Sequence, residues 1–147
     1  MLAPASVFIA SDHRGFALKK SLVRAFPELR DLGPHSFDPE DDYNDAALAV
    51  ARAVRETSGT RGILLCGSAI GVSIQANRIK GIRAAVALDP RAVRLSRQHN
   101  DANVLCLSAD RLSARRAKRL IKLFLDTPFS GEERHVRRIK RLDEETK

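Results

Sequence analysis

The chain contains no tryptophan, one tyrosine, one methionine and two cysteines in 147 residues. Six phenylalanines are the only other aromatics, too few to suggest a stacking platform for single-stranded nucleic acid. Two cysteines do not make a disulfide framework. Cys66 and Cys106 end or interrupt apolar, strand-like runs, which fits a reducing cytoplasm. The four histidines show no HxxxH or HxH spacing and no CxxC occurs, so no metal is expected. Neither a GxxxxGK phosphate loop nor a GxGxxG turn is present. No apolar run approaches the length of a membrane span. Residues 1–4 lack the charged start of a secretory signal, so none is expected.

What is present is an ordinary globular composition, 44% apolar, in a length that suits one domain over 1–147. The formal charge of +8 is uneven, because residues 111–147 hold 12 Lys/Arg against 6 Asp/Glu. Such a basic balance suits nucleic acid, an anionic partner chain or phosphorylated substrates. A non-enzymatic phosphate or nucleic-acid binding module is therefore one reading, and salt-dependent binding would mark it.

Strand-like and helix-like segments alternate. Strands are expected at 7–10, weakly at 29–31, then at 62–66, 82–88 and 104–107. Helices are expected at 15–26, 43–57, 72–78, from Pro90 with Asp89 as N-cap, at 113–126, and at 134–145. Strands separated by helices imply parallel βαβ units, hence a three-layer α/β/α, Rossmann-like domain with a five-stranded sheet. The last helix carries only Val136, Ile139 and Leu142 at three-residue spacing. That narrow stripe fits a partner subunit as well as its own domain.

Four segments could carry chemistry. In 63–71, ILLCGSAIG, an apolar run ends on Cys66 and breaks into a Gly/Ser loop before a helix. Strand ends followed by helix N-termini favour anions and lower a thiol pKa. Cys106, flanked by leucines and without a loop, reads as core. In 11–15, SDHRG, a carboxylate, an imidazole and a guanidinium share one turn, although Asp12 could simply cap the next helix. In 95–103, LSRQHNDAN, His99 sits near a helix C-terminus, whose field favours imidazolium and suits proton transfer. In 134–138, Arg134 and Arg138 lie four apart and could grip a phosphate, or form a solvated face.

The ordered set IASDHRGF (9–16), DYND (42–45), GILLCGSAIGVSIQANRIKGIRAA (62–85), LSRQHNDANVL (95–105) and GEERHVRR (131–138) resembles the ribose-5-phosphate isomerase B family. That family includes galactose- and allose-6-phosphate isomerases. The resemblance implies the same three-layer fold and a dimer, sometimes a tetramer, with sites shared between subunits. It places tail 131–147 on the partner. It implies aldose–ketose isomerisation of ribose 5-phosphate and ribulose 5-phosphate in the pentose phosphate pathway, through a cis-enediolate, without cofactor or metal. Cys66 matches the base of the cysteine-type members; the alternative glutamate position holds Val72. Ser68 and the amides of Gly67, Ala69, Ile70 and Gly71 would cradle the enediolate oxygen. His99 would open the furanose ring, with Asp12 holding sugar hydroxyls. Asn100 would also hold hydroxyls, and Tyr43 would wall the pocket. His13 and the partner's Arg134 and Arg138 would hold the phosphate.

Three positions depart from the family pattern. Ala69 replaces a glycine, and the loop is expected to take an alanine-compatible conformation. Asn44 replaces a proline. Asp110 stands where a phosphate-binding arginine is expected, with Arg111 beside it as a substitute if the loop shifts by one residue. Ala69 and Asp110 motivate an alternative substrate, a tetrulose 4-phosphate or a hexose 6-phosphate.

Overall fold

A computed structural model describes residues 6–145. Residues 1–4, read for a secretory signal, lie outside them. In chain order the strands are β1 (Val7–Ser11), β2 (Leu29–Asp31), β3 (Arg61–Cys66), β4 (Ala84–Val86) and β5 (Val104–Ser108). The helices are α1 (Phe16–Ala25), α2 (Tyr43–Glu56), α3 (Ile70–Asn77), α4 (Pro90–Asn100), α5 (Ala114–Asp126) and α6 (Glu133–Glu145). The strands form one parallel sheet in the order β2-β1-β3-β5-β4.

The two faces of the sheet follow from period-two alternation. Val7, Ile9, Ile63, Leu65, Leu105 and Leu107 point to one side, packed with Leu22 of α1, Val93 of α4 and Leu120 and Phe124 of α5. Phe8, Ala10, Leu64, Cys66 and Cys106 point to the other, against Val50 of α2 and Val72 of α3. Strands buried on both faces read as unbroken apolar runs, as VFIA and ILLC do.

Expected and observed elements agree closely, with differences at the ends. The 15–26 segment opens with a separate 3₁₀ turn, His13–Gly15, before α1. The expected strand 82–88 is trimmed to β4, because Gly81 turns with φ 84° and Asp89 begins the cap of α4. The short helix begins two residues early, at Ile70. Asp89 caps α4 as expected, accepting from the Ala92 N–H at 2.9 Å.

The topology sets the location of the site. From β1 the chain crosses to β2 on one side, and from β3 to β4 on the other. The carboxyl ends of β1 and β3 therefore flank a topological switch point, the crevice where open α/β sheets bind ligands. Ser11 and Cys66 are the residues at those two ends.

Candidate functional site

Cys66 closes β3, is 4% exposed, and faces the α2/α3 side. The loop after it is pinned from β5. Ser108 pairs in register with Cys66, and its hydroxyl donates to the Gly67 carbonyl at 2.6 Å. The Ala109 N–H donates to the Cys66 carbonyl at 2.9 Å. The Ala69 N–H then turns back to the Cys66 sulfur at 3.2 Å, and the Ile70 N–H donates to the Ser68 hydroxyl, also at 3.2 Å. The thiol thus sits at the head of α3, with a backbone N–H aimed at its sulfur. Cys106, wholly buried on the same face, has its thiol pushed far up, chiefly by burial, and stays inert core as expected.

Ala69 corrects one expectation. Its backbone does not relax into an alanine-compatible form: φ is 69° and ψ −6°, left-handed, directly before α3. The loop needs that turn to bring its N–H back to the sulfur, and alanine carries the steric cost glycine avoids. Replacing Ala69 by glycine is therefore expected to stabilise the protein by about 1 kcal/mol. In thermal unfolding this raises Tm by roughly 2–4 °C. An unchanged or lowered Tm would show the strain to be absent.

Tyr43, the first residue of α2, lies against the loop face to face with Gly71. A Cβ on Gly71 would stand 2.8 Å from the Tyr43 ring, so only glycine admits this approach. Asn44, in the proline position, donates to the Gln75 side chain at 2.8 Å and joins α2 to α3.

Across the crevice, Asp12 is buried and accepts from the Arg14 and Gly15 N–H groups at 3.0 and 3.1 Å. The capping role is real, and it aims the turn that carries His13 and Arg14. Burial outweighs those bonds and pushes the Asp12 carboxyl upward. His13 Nδ1 lies 2.8 Å from the Asp41 carboxylate, which raises the imidazole above its ordinary value and favours the cation.

The Asp110 position resolves in an unexpected way. Asp110 reaches the Cys66 loop, while Arg111 is exposed. Its carboxylate takes two bonds from one terminal nitrogen of Arg14, at 2.7 and 2.8 Å. The pair crosses directly over Gly67, where a Cβ would stand 2.9 Å from Arg14 Nε and 3.0 Å from Asp110 Oδ2. Arg14 is held above the ordinary arginine value mainly by Asp110, with a smaller contribution from Asp12. Arg14 is thus the cation nearest the thiol turn that sequence reasoning missed. Its place beside Asp12 and His13 was visible, but not its reach across the crevice.

The remaining candidates lie elsewhere. Each helix returns antiparallel to the strands, so the end of α4 stands at the amino edge of the sheet, where β5 begins. There His99 stacks on His135 of α6, with ring centroids 4.4 Å apart. His135 is buried, its pKa lowered by that burial, by His99 and by Arg134 and Arg138, which lie close by. His99, Asn100, Arg134 and Arg138 are all exposed. A five-residue strand such as β5 spans roughly 16 Å, so this group and Cys66 stand on opposite edges of one chain. The tail helix does touch its own domain, through His135 on α4, while Val136 and Leu142 stay half exposed. Near the Cys66 loop, Ile70 and Ile74 are 57% and 54% exposed, beside exposed Tyr43. One chain thus carries two separate groups of candidate residues, with an apolar rim beside one of them. Among the described residues no group of three or more His, Cys, Asp or Glu could hold a metal ion.

A family model described as Ribose/Galactose Isomerase matches residues 7–142. A probable ribose-5-phosphate isomerase B of Mycoplasma genitalium is 41% identical over 142 residues, 93% of each chain. The ribose-5-phosphate isomerase B of Escherichia coli is 38% identical over 135 residues, 89% of each chain. The crystal structure of the Mycoplasma genitalium enzyme with bound ribulose-5-phosphate superposes with a TM-score of 0.90 at 40% identity, covering 95% of this chain and 94% of that one. The type B ribose 5-phosphate isomerase of Trypanosoma brucei gives 0.90 at 43% identity, covering 95% and 97%.

Proposed function

The chain belongs to the ribose/galactose isomerase family, and from that premise we propose that it interconverts ribose 5-phosphate and ribulose 5-phosphate. The observation that carries this reading is the placement of Cys66 beneath a pinned, amide-lined loop, across the switch crevice from the Asp12–His13–Arg14 turn.

Cys66 as thiolate takes the proton from C2 and returns it to C1, with a cis-enediolate between. The negative charge then developing on the substrate oxygen is met by Ser68 and the amides of residues 67–71, fixed in place before the reaction begins. The half-site holding His99, Asn100, Arg134 and Arg138 comes from a second copy of the chain, placed against the exposed Ile70, Ile74 and Tyr43. In that arrangement His99 transfers the proton that opens the sugar ring, and Asn100 and Asp12 hold hydroxyls. His13 and the partner's arginines meet the phosphate.

His13 gives this reading a pH signature. Asp41 favours its cation, so phosphate binding persists to higher pH than for an ordinary histidine. In an Asp41→Asn variant the alkaline rise in KM is expected to begin at lower pH, with kcat changed less. KM measured across about pH 6 to 9 reads this, and superimposable profiles would remove His13 from phosphate binding.

The Arg14–Asp110 pair supports a second substrate reading, because a carboxylate beside the phosphate end could suit a shorter or longer sugar. Comparing kcat/KM over four-, five- and six-carbon phosphosugars decides between them. A clear preference for the five-carbon pair upholds the proposal, and a preference for a tetrulose 4-phosphate or a hexose 6-phosphate replaces it.

A further inference from the structure

At the amino edge of the sheet, away from Cys66, lies a cavity of about 340 Å³ whose wall includes Arg55, Arg61, Arg83 and Arg97. Asp101 is the one carboxylate among its lining residues. Four guanidiniums in one wall are electrostatically costly unless something compensates them. Arg97 is buried, donating to the Thr127 and Ala102 carbonyls at 3.0 and 2.7 Å and to Asp101 at 2.8 Å. Arg83 shares that same carboxylate at 3.3 Å and reaches Asp143 at 3.6 Å. Arg55 is exposed and, among the described residues, pairs with its neighbour Glu56 at 3.4 Å.

Arg61 makes no carboxylate hydrogen bond or ion pair among the described residues, and feels Asp101 only through its charge. One of its terminal nitrogens donates to the Phe124 and Leu125 carbonyls at 2.7 and 3.0 Å. Its Nε and other terminal nitrogen make no hydrogen bond among the described residues, and neither does the second terminal nitrogen of Arg97. Both guanidiniums lie against the Phe124 ring, 5.5 and 5.8 Å from its centroid, which fixes their planes. Burial, with the charge of Arg97, lowers the Arg61 pKa to about 10. The cavity therefore offers held, unused donors and a surplus of positive charge. Forked guanidinium donors of this kind match the oxygens of a phosphate.

We propose that this cavity is a second anion site, separate from the Cys66 centre, that binds a phosphate group between Arg61 and Arg97. Its wall also includes Asp101, which follows His99 and Asn100 and is held in a left-handed conformation, φ 44°, between Arg97 and Arg83. An anion on these guanidiniums competes with Asp101 for them, so occupancy acts on the end of α4. That last consequence rests on the roles given to His99 and Asn100 above; the binding itself does not.

The test is calorimetric titration of inorganic phosphate into the full chain, with sodium chloride at matched ionic strength as control. The expected result is phosphate binding that falls at least ten-fold in Arg61→Met, with KM for ribose 5-phosphate within two-fold of the unmodified chain. Should Arg61→Met fail to fold, Ser58→Glu, at an exposed position in the same wall, places a carboxylate in the cavity and is expected to abolish the binding. Phosphate affinity equal in the unmodified chain and the variants, binding matched by chloride, or no binding at all each overturns the proposal. Calorimetry reads binding whatever the chain catalyses, so loss of the isomerase reading would leave this result standing.

Discussion

Replacing Cys66 by alanine is expected to lower kcat for ribose 5-phosphate isomerisation by about 10² to 10⁴-fold, the range a positioned acid–base group supplies. No other thiol replaces it. Cys106 is wholly buried and its thiol is pushed up, and Val72 stands where the family resemblance implies an alternative glutamate. KM is expected to change little, because the side chain meets a carbon acid and does not anchor the phosphate. The fold should persist, since alanine leaves only a small gap in the core and the loop remains pinned by Ser108 and Ala109. Steady-state kinetics with circular dichroism separates the two effects. A folded variant with near-normal kcat would remove Cys66 from the proton transfer.

Mixing two inactive variants is expected to restore activity, which is the more telling result. Cys66→Ala disables one half-site and His99→Ala the other, each reducing turnover to a small residue. Because the two residues stand on opposite edges of one chain, the proposed site takes Cys66 from one copy and His99 from another. Assembled together in equal amounts, half the dimers are mixed, and each mixed dimer has one sound site of two. Activity should recover to about one quarter of the unmodified level. If both residues served a site within one chain, every site in the mixture would carry a lesion and nothing would return. Co-expression of differently tagged chains, with purification of the mixed species, checks this directly. There the recovery should reach about one half.

The sheet was largely legible in the residues because each strand is buried on both faces, leaving runs such as VFIA and ILLC without polar interruption. Helix starts were legible where a side chain caps the backbone, as Asp89 does. The end of β4 was not, since Gly81 and Asp89 override an apolar run that looks continuous. Ala69 was misjudged for a related reason. Local preference argued against a left-handed alanine, but bonds from Ser108 of β5 and from Ala109 and Asp110 just after it, with the Ala69–Cys66 contact, hold the turn.

The sequence by itself determined the parallel three-layer architecture and the order of its chemical segments, because burial pattern and turn chemistry are local properties. It also placed Cys66 at the head of a helix, from the position of its glycine loop alone. Only the tertiary structure decided which of those segments meet. Strand direction sends Asp12, His13 and Cys66 to one edge and His99, Asn100, Arg134 and Arg138 to the other. It also carried Arg14 across to Asp110, 96 positions away in the chain, and gathered Arg55, Arg61, Arg83 and Arg97 around one cavity. Charges so distant in sequence become neighbours only through packing, and no local pattern encodes the sign of the field they make together.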